Sequence, residues 1–87
     1  METTQLKVFL EVVRQGSFAA AGRRLALDPS AVTRAIGALE QALQVRLFNR
    51  TTRRLALTRA GAAFSEQAAA ALEQLDRAVD EARSSGG

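Results

Sequence analysis

The chain has 87 residues with no cysteine and no histidine, which excludes disulfides, catalytic thiolates and the commonest metal ligand. A chain of this length forms one small domain with a thin core. Its longest run of hydrophobic residues, 68–72, is far shorter than the ~20 residues of a membrane span, and charged residues interrupt the N-terminus where a signal peptide would be apolar. We therefore expect a soluble, mostly α domain with no catalytic residues, no metal and no cofactor.

The net charge of +3 conceals an uneven distribution. Residues 1–60 carry ten basic and four acidic side chains, whereas residues 61–87 carry two basic and five acidic ones. The excess lies in residues 23–59, where eight arginines are accompanied by only Asp28 and Glu40. Such a local excess is typical of a surface that binds a polyanion. Basic residues that merely keep a small protein soluble would give the same count.

Hydrophobic periodicity predicts two helices at the start of the chain. The i, i+3, i+4, i+7 spacing of an amphipathic helix is found at Leu6, Phe9, Leu10 and Val13. Thr3 or Thr4 is expected as the N-cap of this helix, and Gly16 is expected to end it as the C′ residue, the position where a left-handed glycine is common. Ser17 is placed to cap a second helix, whose apolar face holds Phe18, Ala21 and Leu25.

A third helix follows a connection of about three residues, 26–28. Asp28 followed by Pro29 is a strong start signal, because proline at the first helical position already has a helical φ and lacks only an N–H that would be unpaired there. The apolar stripe of this helix is formed by Val32, Ile36, Leu39 and Leu43. Glu40 is expected to be a charge on its surface.

Helical periodicity stops near residue 44. Residues 46–50 and 54–57 alternate in part and predict a β-hairpin, which is marginal unless it packs on helices. Thr58 is expected as the N-cap of a last helix over residues 59–83. The Ser-Gly residues 84–87 are expected to form a flexible hinge or tail. The predicted organisation is a globular domain at 1–58, a helix at 59–83 and a tail at 84–87.

Two helices joined by a tight turn, with a basic second helix, are typical of a helix-turn-helix protein that reads DNA in the major groove. The candidates for base contacts lie at the start of the third helix: Pro29, Ser30, Ala31, Thr33 and Arg34. The Arg34 guanidinium can bind guanine N7 and O6 together, and serine and threonine hydroxyls can reach base edges or phosphates. The alternative is three ordinary helices whose polar residues are only solvated.

The predicted hairpin has the charge of a DNA-binding wing, with arginines at 46, 50, 53 and 54. Arg53, at the turn, is the candidate for minor-groove contact, because narrow A·T-rich grooves attract arginine. The candidates for phosphate contact are Arg50, Thr51, Thr52 and Arg54. Alternatively, these charges protect an exposed strand edge from aggregation.

These motifs, in this order, resemble the DNA-binding domain of LysR-type transcriptional regulators. The resemblance is carried by G-S-F-A-A-A-G-R-R-L at 16–25, S-A-V-T-R-A-I-x-x-L-E at 30–40, L-F-x-R at 47–50 and R-x-x-x-L-T-x-A-G at 53–61. It implies a winged helix-turn-helix with three helices, a two-stranded wing and a long C-terminal linker helix. It also implies sequence-specific binding to promoter DNA in the bacterial cytoplasm, with contacts from Ser17 and Phe18 at the start of the second helix.

Two residues depart from the family pattern. Pro29 stands where the family often has glutamine, so an amide that commonly reads bases is missing. Gln44 stands where the family usually has glycine, so the third helix is expected to close without a left-handed glycine.

The last helix carries a stripe suited to a partner helix. The 4-3-4-3 spacing of a coiled-coil seam is found at Ala68, Leu72, Leu75, Val79 and Ala82. A small domain cannot cover such a stripe along its whole length, although part of it could fold back on the first helix. The resemblance implies an antiparallel homodimer that presents two reading helices to a pseudo-palindromic site.

LysR-type regulators also have a C-terminal domain that binds a small-molecule effector and supports a tetramer. Since 87 residues cannot contain such a domain, we expect this chain to be the DNA-binding part of a longer regulator rather than a short protein complete in itself.

Two other classes of function fit less well. A protein that docks on membranes needs a basic amphipathic helix, and the long amphipathic helix here is acidic. An enzyme needs a reactive constellation, and the sequence has no glycine-rich phosphate loop, no zinc-ligand spacing and no nucleophile with a base.

Overall fold

The computed structural model describes residues 1–50 and 55–86. Its elements are α1 (Thr3–Gln15), α2 (Phe18–Leu25), α3 (Pro29–Leu43), β1 (Phe48–Asn49), β2 (Ala56–Leu57) and α4 (Arg59–Gly86). The two strands pair antiparallel, with Phe48 opposite Leu57 and Asn49 opposite Ala56. The predicted order of three helices, a two-stranded hairpin and a long last helix is confirmed.

The boundary between α1 and α2 forms as local signals predict. Gly16 takes the left-handed conformation (φ 78°) that ends α1, and its N–H donates to the Val12 carbonyl. The Ser17 hydroxyl accepts a hydrogen bond from the Ala20 N–H at 2.9 Å and so caps α2. The start of α1 differs from the prediction: its N-cap is Glu2, whose N–H donates to the Gln5 side chain, and not Thr3 or Thr4.

The ends of α3 use main-chain geometry more than side-chain caps. Asp28 is the N-cap and Pro29 the first helical residue, as predicted, but the Asp28 carboxylate makes no capping hydrogen bond. Gln44 closes the helix in the left-handed conformation (φ 61°), and its side chain donates to the Gln41 carbonyl at 2.9 Å. The expected closure without glycine is therefore confirmed.

The core lies where α1, α2 and α3 meet the first strand. It consists of Val8, Phe9, Val12, Ala21, Val32, Ile36, Leu39, Leu47 and Phe48. The Phe9 ring lies 5.5 Å from that of Phe48 and 5.6 Å from that of Phe64, which joins α1 to β1 and to α4. Gly22 allows the helix-turn-helix to close, because a Cβ there would lie 2.8 Å from the Leu27 carbonyl oxygen.

Thr58 connects the hairpin to α4. Its hydroxyl donates to the Arg46 carbonyl at 2.6 Å and accepts from the Gly61 N–H at 2.9 Å, which confirms the predicted cap. Its own N–H donates to the Leu47 carbonyl at 3.0 Å. The direction in which α4 leaves the domain is thus fixed at its first turn.

The last helix is longer than predicted and only partly packed. It continues to Gly86, so residues 84–86 are helical and not the flexible tail that their composition predicted. Its first half packs against α1 and β2. Every described residue from Glu73 onward is exposed. We call residues 73–86 the distal arm, and the remainder of the described chain the packed domain.

Candidate nucleic-acid interface

The first two turns of α3 present the predicted base-contacting residues on one exposed face. Ser30, Thr33 and Arg34 have the i, i+3, i+4 spacing that brings side chains together on a helix, and all three are exposed, as is Pro29. We call these four residues the reading face. The opposite side of the helix is buried through Val32, Ile36 and Leu39. The core therefore fixes the helix in the orientation that turns the reading face to solvent.

Within the reading face, the Thr33 hydroxyl has a defined orientation. It donates to the Pro29 carbonyl at 3.1 Å, one turn earlier in the helix. Its oxygen remains an acceptor, and its methyl group remains free for an apolar contact. Ala31, between these positions, is only half-buried and adds no polar group.

Residues at the start of α2 have packing or capping roles. Ser17 is half-buried, and its hydroxyl caps the helix. The Phe18 ring packs edge-on against Phe48, with 5.7 Å between centroids. The contact of these two residues with DNA, implied by the family resemblance, stays a prediction.

Glu40 differs most from its prediction. It is 7% exposed and not a surface charge. One carboxylate oxygen accepts from the N–H groups of Leu47 (2.8 Å) and Phe48 (3.3 Å), and the other accepts from Arg50 Nη2 at 2.8 Å. The chain reverses after α3 and lays the start of β1 over the last turn of the helix, which encloses the carboxylate. In the sequence, the one sign of this pairing was that Glu40 and Arg50 both belong to the motifs that carry the family resemblance, at 30–40 and 47–50.

The wing is described only at its base. Arg50 keeps 32% of its side chain exposed while it pairs with Glu40, and its guanidinium lies 5.6 Å from the centre of the Phe18 ring. Arg46 is exposed. The remaining predicted wing contacts, Thr51, Thr52, Arg53 and Arg54, lie outside the described residues and stay predictions.

Several other arginines add positive charge to the packed domain. Arg23, Arg24, Arg34, Arg46 and Arg59 are exposed and make no ion pair with another described residue. Unpaired guanidinium groups at the surface are available to phosphate oxygens. The predicted concentration of positive charge therefore reaches solvent.

The stripe on α4 is divided between two environments. Ala68 is 5% exposed and is covered by the domain itself, contrary to its predicted place in a dimer interface. Leu72 is half-buried beside a groove of about 440 Å³ between α1 and α4. Leu75 and Val79 are 46% and 38% exposed, and Ala82 is exposed too. The beginning of the stripe thus folds back on α1, and the remainder is uncovered.

None of the described helices combines the length and apolar character that a bilayer crossing requires. Among residues 1–50 and 55–86, no three acidic side chains gather into a cluster that could hold a metal ion.

Comparison with known proteins identifies the same class of domain. Residues 3–62 match the model of the family described as "Bacterial regulatory helix-turn-helix protein, lysR family". The chain is 42% identical over 81 residues to the uncharacterized HTH-type transcriptional regulator YcaN of Escherichia coli, covering 93% of this chain and 27% of that protein. It is 47% identical over 83 residues to the HTH-type transcriptional regulator TfdS of Cupriavidus pinatubonensis, covering 95% and 28%. Both relatives are named as HTH-type transcriptional regulators.

Solved structures match over the whole chain. The DNA-binding domain of CbnR, in a complex with DNA, is 41% identical with a TM-score of 0.93, and the match covers 100% of both chains. The BenM DNA-binding domain, in a complex with catB site 1 DNA, gives a TM-score of 0.95 at 29% identity, covering 100% of this chain and 98% of that one. Full-length CbnR, a LysR family transcriptional regulator, matches 95% of this chain with only 29% of its own length. The predicted winged helix-turn-helix is confirmed.

Proposed function

The chain belongs to the lysR family of bacterial regulatory helix-turn-helix proteins and forms its DNA-binding domain, and from this membership we propose that it binds promoter DNA with sequence preference in the bacterial cytoplasm. The α3 helix lies in the major groove and the wing lies against the minor groove. The observation that carries the proposal is the reading face: Pro29, Ser30, Thr33 and Arg34 are exposed together on one side of α3, in a basic domain.

Each residue of the reading face has a distinct role. Arg34 donates two hydrogen bonds to guanine N7 and O6, the commonest specific contact in the major groove. Thr33 accepts a hydrogen bond from a base or places its methyl group against thymine, since its own proton is directed to the Pro29 carbonyl. Ser30 donates to a base edge or a phosphate. Pro29 offers only an apolar surface, so we expect the operator to differ from those of relatives that have glutamine there.

Contacts to the DNA backbone come from the surroundings of the reading face. We propose phosphate contacts for Ser17 and Phe18 at the start of α2, and for the wing residues Arg50, Thr51, Thr52 and Arg54. Because the Phe18 ring is engaged with Phe48 and Arg50, its contact is made by the main chain. Arg53 is the proposed minor-groove residue. These contacts position the domain, and the reading face selects the sequence.

Dimerisation follows from the uncovered part of the α4 stripe. Every described residue of the distal arm is exposed, and covering the apolar side chains of Leu75 and Val79 with a partner removes them from water at a gain in free energy. We propose that Leu72, Leu75, Val79 and Ala82 pair with the same residues of a second copy. The dimer then presents two reading faces to a pseudo-palindromic duplex.

The chain spans less than a third of the length of YcaN and of TfdS. In a full-length regulator we propose that a further domain binds a small-molecule effector and assembles the dimers into a tetramer. The packed domain described here would then be the part that contacts the promoter.

The test of the proposed function is selection of duplexes from a randomised library, followed by gel shifts with a salt titration. We expect a preferred, dyad-related sequence and a steep fall in affinity with salt, because each neutralised phosphate contributes ~0.9 to the slope of log K against log salt. Steep salt dependence without any preferred sequence would leave only non-specific binding of a polyanion and would refute the proposal.

A further inference from the structure

The buried Glu40 carboxylate connects the reading helix to the wing. Its donors are the N–H groups of Leu47, immediately before β1, and Phe48, its first residue, and the guanidinium of Arg50, immediately after β1. All three donors belong to the hairpin, whereas Glu40 belongs to α3. In the described residues no buried side-chain nitrogen or oxygen lacks a hydrogen-bond partner, so this carboxylate is fully compensated.

Arg50 extends the connection to α2. While Nη2 binds Glu40 at 2.8 Å, the guanidinium lies 5.6 Å from the centre of the Phe18 ring, at the first position of α2. A guanidinium at this distance from an aromatic face is attracted by it. One arginine therefore contacts both helices of the helix-turn-helix from the base of the wing.

A buried carboxylate at this position constrains the direction of the hairpin more closely than an apolar core residue would. Apolar packing tolerates small rotations of a two-residue strand, whereas three hydrogen bonds to one carboxylate fix its direction and register. Since the strands of the hairpin are only two residues long, their own ladder provides little rigidity.

We infer that Glu40 is a positioning residue for DNA binding: through Leu47, Phe48 and Arg50 it holds the wing at the angle at which the wing and α3 contact the duplex together. This inference rests on the proposed function. It also revises the role of Arg50, whose contribution to affinity is made mainly through Glu40 rather than as an independent phosphate ligand.

The direction in which one substitution, Glu40→Gln, changes the affinity for DNA separates the two possible roles of Arg50. If Arg50 binds phosphate independently, Glu40→Gln removes a negative charge, releases Arg50 and leaves DNA binding equal or tighter. If Glu40 positions the wing, Glu40→Gln weakens binding on the order of tenfold although the protein becomes more positive. The salt slope then also falls by ~0.9, the contribution of one phosphate contact, because the wing no longer reaches the DNA backbone.

The experiment uses the 87-residue chain and the tightest duplex that the wild type selects from a randomised library. Affinities are measured for Glu40→Gln, Arg50→Met and the double variant, below the temperature at which any of them begins to unfold by circular dichroism. We expect the double variant to bind as weakly as either single variant, because both interrupt one connection. Asp28→Asn is the matched control: it removes a carboxylate from the other end of α3 that makes no capping hydrogen bond, and binding should not weaken.

Three results would overturn the inference: a folded Glu40→Gln that binds as well as the wild type, additive losses in the double variant, or equal weakening by Asp28→Asn. In each of these the wild type still selects a sequence, so the proposed function survives. If Glu40→Gln is unfolded at every temperature, Arg50→Met is compared with Arg46→Met, which removes an exposed arginine that has no ion pair among the described residues. A loss of affinity at Arg50 clearly larger than at Arg46 supports the connection, and an equal or smaller loss contradicts it. A wild type that selects no duplex refutes both proposals.

Discussion

The packed domain and the distal arm differ in what covers their hydrophobic side chains. In the packed domain, Phe9, Ile36 and Leu39 are fully buried by neighbours from the same chain. In the distal arm, Leu75 and Val79 are 46% and 38% exposed, although they continue a regular hydrophobic spacing. The packed domain is therefore stabilised by its own core, whereas the arm is suited to assembly with another chain.

Because of this difference, substitutions in the packed domain and in the distal arm should change different properties of the protein. A change in the packed domain should alter the free energy of unfolding and, at the reading face, the choice of sequence. A change in the arm should alter the mass in solution and the affinity for paired half-sites, with little effect on the core. The four substitutions below test this division, in order of decreasing expected effect.

The most damaging single change is expected at Gly61, inside the packed domain. A Cβ there would overlap the Leu47 carbonyl oxygen, and it would lie 2.9 Å from the Leu47 carbonyl carbon and 3.0 Å from Leu57 Cδ2. The obstruction is main chain held by the Thr58 N–H, so it cannot turn aside. We expect Gly61→Ala to lower the free energy of unfolding by about 3 kcal/mol or more, measured by urea denaturation at fixed protein concentration. A loss of less than about 1 kcal/mol would show that the junction is not tightly packed.

The largest effect in the arm is expected at Leu75. Leu75→Asp places a charge in the middle of the proposed seam, and removal of a central apolar anchor typically costs about 2 kcal/mol or more of association energy. Sedimentation should show the dimer replaced by monomer, while the helical content of the packed domain is retained. Gln74→Asp, which adds the same charge one position off the stripe, should leave the mass unchanged. A dimer that survives Leu75→Asp would refute the seam.

The sequence predicted the structural features that depend on residues close to one another along the chain. The stripe of α1, the left-handed Gly16, and the caps at Ser17 and Thr58 are each set within a turn or two, and the structure confirms them. The reading face followed for the same reason, since the buried stripe of α3 determines which residues face solvent.

What the sequence did not predict depends on contacts between distant segments. The burial of Glu40 requires the chain reversal that brings Leu47 and Arg50 over the end of α3, and no local pattern indicates how far that reversal carries them. Ala68 was assigned to the seam because spacing does not show where the domain ends. The helix at residues 84–86 continues from a formed helix, and adding a residue to an existing helix costs far less than starting one.

Sequence selection tests the reading face separately from stability. Arg34→Ala should lose roughly 1–3 kcal/mol of discrimination at one base pair of each half-site, because it removes the two hydrogen bonds that we propose Arg34 donates to guanine. The measurement is repeated selection from a randomised library. Arg83→Ala removes the same charge from the exposed arm and should leave the preferred sequence unchanged. If both variants select the wild-type site equally well, the proposed base contact of Arg34 is refuted.

The smallest expected effect is a gain at Gly37. This glycine lies in the interior of α3, and a Cβ added there would meet nothing within 4 Å, unlike one added at Gly61. Glycine in a helix interior costs about 0.5–1 kcal/mol relative to alanine, so Gly37→Ala should raise the free energy of unfolding by about that amount. The same substitution then has opposite signs at two helical glycines, since at Gly61 the crowding of main chain outweighs the helix preference. Urea denaturation of Gly37→Ala and Gly61→Ala measures both changes in the free energy of unfolding. A destabilised Gly37→Ala would mean that α3 is more closely packed at this turn than its open surroundings indicate.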